Sequence, residues 1–262
     1  MSGQSLTIIP ARFASTRFPG KPLADIAGKS MIRRVYENVL AAGCLGDIIV
    51  ATDDDRIFRH VESFGGKVVM TASHHKNGTE RCAEVLEKLL QAPPVVLCIQ
   101  GDEPFIAGEH IKLLLSVFDN QDTRIATLVK SITNPEELTN PNIPKVVMNM
   151  NNEALYFSRS SIPFLRSFPL NTLPDGYCFY KHIGIYGYRS ETLKDLVRLP
   201  ETNLEKAEQL EQLRWLENGY RIKLVKTFRE NFAVDTPEDL RKLLNLLKEE
   251  GWPGSATETS FP

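Results

Sequence analysis

The chain has 262 residues, 42% hydrophobic and 24% charged, and its 31 Lys and Arg against 33 Asp and Glu give a formal net charge of −2. That length buries a substantial core in one large or two small domains. The near balance of charge gives no basic field to attract a polyphosphate backbone, and no uncharged apolar stretch approaches the roughly 18 residues of a membrane span, so neither nucleic acid nor a bilayer is expected as the main partner.

In chain order, residues 6–10, 47–52, 67–71 and 95–99 are short apolar runs rich in β-branched side chains, which suit strands covered on both faces. Segments of helical period lie between them. One carries Met31, Ile32, Val35, Val39 and Leu40 and ends at Gly43; a second carries Ile57, Val61 and Phe64 and ends at Gly65; a third carries Ala83, Leu86, Leu89 and Leu90. Alternating strand and helix predict an α/β fold with a doubly wound, mostly parallel sheet. In the second half, residues 145–150 and 154–158 read as a hairpin around Asn151-Asn152, and 183–188 as a further strand. Leu204, Ala207, Leu210, Leu213 and Leu216 fit one long amphipathic helix, and 221–227 a strand after it. Thr236 is placed as an N-cap with Pro237 at the first helical position, so a helix runs from there to Glu250 and stops at Gly251. The reading is a single domain over 1–252: a nucleotide-binding part over about 1–130, a mixed α/β elaboration over about 131–230, a closing helix over 236–250 and a loose tail over 253–262.

Residues 1–12 hold no long apolar run after a basic start, so a secretory signal is not expected and a cytoplasmic location is. Cys44, Cys82, Cys98 and Cys178 form no CxxC pair; three fall in apolar runs and read as small core residues.

The first strand is followed by irregular, glycine-bearing chain that holds Arg12, Arg17 and Lys21 within ten residues. In a doubly wound sheet this loop lies at the carboxyl ends of the strands, where ligands bind. Two guanidinium forks and an ammonium suit a triphosphate, although a solvated basic loop has the same composition. Asp102, in Gln100-Gly101-Asp102-Glu103-Pro104, follows the most apolar strand and so projects towards the same crevice, where a hard cation on phosphate oxygens needs an oxygen ligand. The competing role is a turn cap before Pro104. Asp235, at another strand's end, is a second candidate ligand. His74-His75 lacks the partners of a zinc site. Asp53-Asp54-Asp55 resembles an acidic metal motif of glycosyltransferases, yet Asp54 or Asp55 serves equally as the start of a helix.

Ile8-Ile9-Pro10-Ala11-Arg12, residues 15–23, Gly78-Thr79-Glu80-Arg81, Gln100-Gly101-Asp102-Glu103-Pro104, Tyr156-Phe157-Ser158-Arg159, residues 182–188, residues 210–214 and residues 234–240 together resemble the 3-deoxy-manno-octulosonate (Kdo) cytidylyltransferases, over residue 8 to about 240. The first motif is shared with other sugar nucleotidyltransferases, and 182–188 with 210–214 narrow the resemblance. Two departures are Ser30 in place of a usual Pro and Asn77 in place of a common Ser.

The resemblance implies a homodimeric, Mg²⁺-dependent enzyme that transfers CMP from CTP to the anomeric hydroxyl of Kdo, for lipopolysaccharide synthesis, and releases pyrophosphate. The 8-amino sugar acid and, in a different class, a glycosyltransferase consuming a nucleotide sugar are the alternatives. It implies Asp102 and Asp235 as metal ligands and Arg12, Lys21 and Arg17 at the phosphates. Pro10, Ala11, Gly78, Thr79, Arg81 and Gln100 are implied at the nucleotide, and Gln100, Arg159, His182, Tyr186, Glu211 and Gln212 at the sugar acid.

Overall fold

A computed structural model describes residues 5–14, 17–43, 46–167, 169, 173–230 and 233–250. Cys44, Gly251 and the 253–262 tail lie outside these residues. The first half runs β1 (Ser5–Ala11), β2 (Asp25–Ile26), β3 (Lys29–Ser30), α1 (Met31–Ala41), β4 (Asp47–Thr52), α2 (Asp55–Ser63), β5 (Val68–Met70), α3 (Gly78–Lys88) and β6 (Val95–Cys98). Then come α4 (Gly108–Ser116), β7 (Ile125–Ser131), α5 (Pro135–Thr139), β8 (Lys145–Met148), β9 (Ala154–Ser158), β10 (Tyr180–Arg189) and α6 (Ser190–Leu196). The chain ends with α7 (Asn203–Glu208), α8 (Gln212–Glu217), β11 (Ile222–Thr227) and α9 (Pro237–Glu250).

The main sheet has the order β11-β7-β10-β6-β1-β4-β5, with the β8–β9 hairpin attached to β10. Its neighbours β6, β1, β4 and β5 are mutually parallel, as are β11 and β7. The ten-residue strand β10 runs antiparallel to β6 and β7 and joins the two parallel blocks. The expected parallel sheet is therefore interrupted once, because β10 enters from the hairpin region instead of through a helical crossover.

Side chains alternate across β1: Leu6 and Ile8 enter one apolar layer with α3, α6 and α8, while Ile9 and Ala11 enter another with α1, α2 and α4. Ile8 and Ile9 are both fully buried, each contributing about 1.5–3 kcal/mol, which is why β1 reads as a continuous apolar run. Gly43 (φ 66°) and Gly65 (φ 78°) follow α1 and α2 in the left-handed conformation that ends a helix.

The long helix expected from Leu204 to Leu216 is two short ones. Gln209 adopts φ 53°, ψ 47° between α7 and α8, and the break is held from outside. Glu208 accepts from Ser158 Oγ (2.6 Å) and from the Arg159 amide (2.9 Å), and the Arg159 guanidinium donates to the carbonyls of Glu208 (2.7 Å) and Gln209 (3.2 Å). Carbonyls freed at the end of α7 thus find a donor in Arg159, directly after β9, and this tertiary contact overrides the continuous 3.6-residue period.

Thr236 and Asp239 close the start of α9 reciprocally: Thr236 Oγ1 accepts from the Asp239 amide (3.1 Å), and Asp239 Oδ2 from the Thr236 amide (2.9 Å). The helix lays Leu243 on Ile26, Met31 and Phe105, in a cluster that also buries Val234. Among the described residues no helix is long and apolar enough to cross a membrane.

Candidate active site

The carboxyl ends of β1 and β6, the start of α3 and the segment before α9 meet around a cleft of ≈ 230 Å³. Their approach depends on two glycines. A Cβ on Gly101 would sit 2.9 Å from the Pro10 carbonyl oxygen, and one on Gly78 3.0 Å from Pro10 Cγ and 3.3 Å from the Gln100 amide. A backbone bond from the Val234 amide to the Asp102 carbonyl (2.9 Å) draws the segment before α9 across the end of β6. Asp235 thereby reaches Asp102 from 133 positions away in sequence, the difference of their residue numbers.

The basic loop curls back on itself. Gly20, at φ 73°, donates its amide to the Phe13 carbonyl (2.9 Å), and the Phe13 ring lies under the Arg56 guanidinium, 3.3 Å from its centroid. Arg12, Arg17 and Lys21 line the cleft together with Lys76, Asp102 and Asp235. Lys21, 12% exposed, donates to Asp102 Oδ2 (2.6 Å) and to Asp235 Oδ1 (3.3 Å). Arg17 Nη2 lies 3.2 Å from the same Asp235 oxygen. The lysine expected at the phosphates is thus held by the two expected metal ligands.

Both carboxylates address one cation position. That suits Mg²⁺, which takes one or two carboxylates and completes its shell with waters and substrate phosphate oxygens. Among the described residues, no group of three or more His, Cys, Asp or Glu side chains surrounds a metal position. The other acidic and histidine motifs are engaged elsewhere: Asp54 caps α2, its Oδ1 accepting from the Arg56 amide (2.9 Å), Asp53 pairs with Arg81 (2.9 Å), and His75, although it lines the same cleft, is held by Glu84.

Pro10, Ala11, Gly78, Arg81 and Gln100 line the cleft as expected for a nucleotide site. The Arg81 guanidinium, however, is 3% exposed and bound to Asp53 and Thr71, so it braces the start of α3 rather than presenting a free cation. Asn77 caps α3 (Oδ1 to the Glu80 amide, 2.8 Å) and Ser30 caps α1 (Oγ to the Arg33 amide, 3.3 Å), which explains how both departures are tolerated. Thr79 is not in the cleft wall; its hydroxyl donates to Glu211 Oε2 (2.9 Å).

That bond leads to a second group on the other side of β6. Tyr186 stands opposite Cys98 in the β10–β6 register, two residues from Gln100, and its ring packs against His182 (5.3 Å between centroids) and Trp215 (5.1 Å). His182 Nε2 lies 2.9 Å from Thr127 Oγ1, whose single proton goes to the Ile183 or Ile185 carbonyl (3.1 and 2.7 Å) at the irregularity in β10. The hydroxyl must then accept from Nε2–H, which leaves Nδ1 as the acceptor nitrogen. Desolvation holds the His182 pKa down to about 3, so the ring is neutral, and burial lifts the Glu211 carboxyl to about 7 against the lowering bond from Thr79. Tyr186 Oη and Gln212 Nε2 are buried with no partner among the described residues.

Arg159 is the exception in the expected sugar-acid set. Its third donor goes to the Pro141 carbonyl (2.9 Å), so the guanidinium's bonds among the described residues are to backbone carbonyls and it acts as a clamp on the α7–α8 break. Sequence reading missed Lys76 in the cleft wall and Glu208 in this clamp. Lys76, a cation two residues before Gly78, carried a usable signal; Glu208 carried none, since its partners are 49 and 50 positions distant.

Asp235, expected at a strand's end, lies eight residues beyond β11, in the segment directly before α9. A doubly wound α/β fold with a basic loop, one acid past β6 and a second before the closing helix defines a nucleotidyltransferase class, and the cytidylyltransferase family model matches residues 6–241. Two 3-deoxy-manno-octulosonate cytidylyltransferases are close relatives. That of Parabacteroides distasonis is 53% identical over 244 residues, covering 92% of this chain and 96% of that protein. That of Porphyromonas gingivalis is 50% identical over 258 residues, covering 96% and 99%. A CMP:2-keto-3-deoxy-manno-octonic acid synthetase solved with CTP superposes with a TM-score of 0.87 at 40% identity, over 95% of this chain and all of that one. The chain belongs to the cytidylyltransferase family and, within it, to the 3-deoxy-manno-octulosonate cytidylyltransferases.

Proposed function

We propose that this protein is a Mg²⁺-dependent cytidylyltransferase that transfers CMP from CTP to the anomeric hydroxyl of 3-deoxy-manno-octulosonate. The observation that carries the reading is the meeting, in one cleft, of Arg12, Arg17 and Lys21 with Asp102 and Asp235, beside a separate polar group around Tyr186 and Glu211.

In the reaction the sugar hydroxyl gives up its proton to solvent as its oxygen forms a bond to the α-phosphorus, the bond from that phosphorus to the α,β-bridging oxygen breaks, and pyrophosphate leaves with the electron pair. Such a transfer needs positioning and charge neutralisation more than a protein nucleophile. Arg12 and Arg17 offer forks to the phosphate oxygens and Lys21 a point charge. Gln100 and the chain at Pro10, Ala11 and Gly78 offer hydrogen-bonding groups to the cytosine edge, where uracil would leave them mispaired. Neutral His182 accepts a sugar hydroxyl at Nδ1, while Tyr186 Oη and Gln212 Nε2 supply buried polar atoms that have no partner among the described residues. Mg²⁺, when held by Asp102 and Asp235, neutralises phosphate charge and lowers the pKa of the attacking hydroxyl.

The test is pyrophosphate release from CTP, Mg²⁺ and the sugar acid, with UTP as control and the 8-amino sugar acid in parallel. Release with CTP and the parent sugar acid is expected. No release above blank with either sugar acid would overturn the reading, and a clear preference for the 8-amino compound would change the substrate while keeping the chemistry. Asp102→Ala is expected to lower the rate about 10²-fold or more, and near-normal activity would return Asp102 to its turn.

A homodimer is part of the proposal, supported by exposed Leu155, Phe164 and Phe228 in the second half, and light scattering of the intact chain tests it. A cytoplasmic location is proposed with it, because the reaction consumes a nucleoside triphosphate.

A further inference from the structure

The position between Asp102 and Asp235 is filled by this chain's own cation. The Lys21 ammonium lies within hydrogen-bonding distance of both carboxylates, and Arg17 reaches Asp235 from the side. We propose that Lys21 is a resident counter-ion which keeps the metal position closed until a nucleotide arrives: the triphosphate draws the ammonium off the aspartates, and the divalent ion takes its place. The inference rests on the function proposed above and adds an order to it, nucleotide before protein-held metal.

Three features of the structure carry this. The ammonium is only 12% exposed, so its attraction to the carboxylates is less screened than that of a surface pair, and a divalent ion must displace it to gain both acids. Lys21 opens a short helical turn, Lys21–Leu23, just after Gly20 in its left-handed conformation, so its backbone is fixed while its four-carbon stem lets the charge move. The same cleft wall holds Arg12 and Arg17, which leaves room for phosphates next to the ammonium's present position.

What the device achieves is selectivity of timing. Two carboxylates facing one position without a counter-ion would bind a divalent ion with no substrate present. With Lys21 between them and Arg17 on Asp235, each carboxylate is already paired with a cation. Arrival of the triphosphate makes the cleft net negative and favours both the ammonium's shift and the ion's entry.

The test measures Mn²⁺ bound to the intact protein by electron paramagnetic resonance, with and without CTP, in wild type, Lys21→Met, Lys21→Arg and Asp102→Asn. Without nucleotide, Lys21→Met is expected to bind Mn²⁺ at least about tenfold more tightly than wild type, and Lys21→Arg to stay weak because its charge is kept. Asp102→Asn on the Lys21→Met background is expected to abolish the gain. Lys21→Met binding Mn²⁺ no more tightly than wild type, with a thermal melt and far-ultraviolet spectrum matching wild type to show that this variant is folded, would overturn the inference and leave the proposed reaction intact. Failure of Asp102→Asn to weaken Mn²⁺ binding with CTP present would instead overturn the metal assignment, and the inference with it.

Discussion

At the scale of single residues, two buried titratable groups in the second polar group work in opposite directions. Glu211 ionises near 4.5 in the unfolded chain and about 7 in the folded one, so the native state binds more protons between those values and its contribution falls as pH rises from 4.5 to 7. His182 ionises near 6.5 unfolded and about 3 folded. The unfolded chain then binds more protons, and stability is lost as pH falls from 6.5 towards 3. Thermal melts between pH 4 and 8 are expected to show Glu211→Gln with a flatter neutral limb and His182→Gln with a flatter acid limb. Curves parallel to wild type at every pH would show that neither group is desolvated as described. The proposed contact with a sugar hydroxyl requires the neutral ring, so the burial that destabilises the charged form of His182 is consistent with that proposal.

At the scale of elements, the break between α7 and α8 decides where Glu211 and Gln212 stand. In the continuous helix that the leucine spacing suggests, the two residues would extend the line of α7. The structure turns the chain at Gln209 and starts α8 afresh, which places Glu211 against Thr79 of α3. Arg159 holds that turn through the Glu208 and Gln209 carbonyls and ties it to the Pro141 carbonyl before β8. Arg159→Ala is expected to destabilise the protein by about 1–3 kcal/mol, measured by urea denaturation, because it leaves those acceptors to water or to nothing. An unchanged denaturation midpoint with weakened sugar-acid use would assign Arg159 to the substrate instead. The leucine spacing signalled burial at Leu210 and Leu213 but failed at Leu204, which is exposed on a helix that buries none of its residues, and it did not signal the break. Glu208 and Arg159, which interrupt the helix, are polar residues on different elements, and no local pattern links them.

At the scale of the whole molecule, α9 returns from the end of the described chain to complete a site begun at β1. It is attached through Val234 and Leu243 on Ile26, Met31 and Phe105, so the position of Asp235 depends on a small apolar cluster apart from the two main layers. Leu243→Ala is expected to cost about 2–3 kcal/mol. Because the loss falls on this cluster, activity should disappear at a lower urea concentration than the far-ultraviolet helix signal, whereas the two coincide in wild type. Coincident loss in the variant would show that α9 unfolds only with the rest of the protein.

The sequence by itself determined the α/β class, the four main-sheet strands β1, β4, β5 and β6, the start of α9 and most of the residues that line the cleft. These rest on local physics: β-branched apolar runs, helical period, a Thr-Pro start, and charged residues directly after buried strands. It also carried the family's motifs, which named most of the residues around both groups. Only the tertiary structure decided that β10 runs against its neighbours, that α7 and α8 are separate, that Arg159 clamps carbonyls, and that Lys21 sits between Asp102 and Asp235. Each of these is a choice between partners tens to hundreds of residues apart. A lysine that will meet a phosphate and one that will meet two aspartates look the same along the chain, and the contact that distinguishes them exists only once the chain has closed on itself.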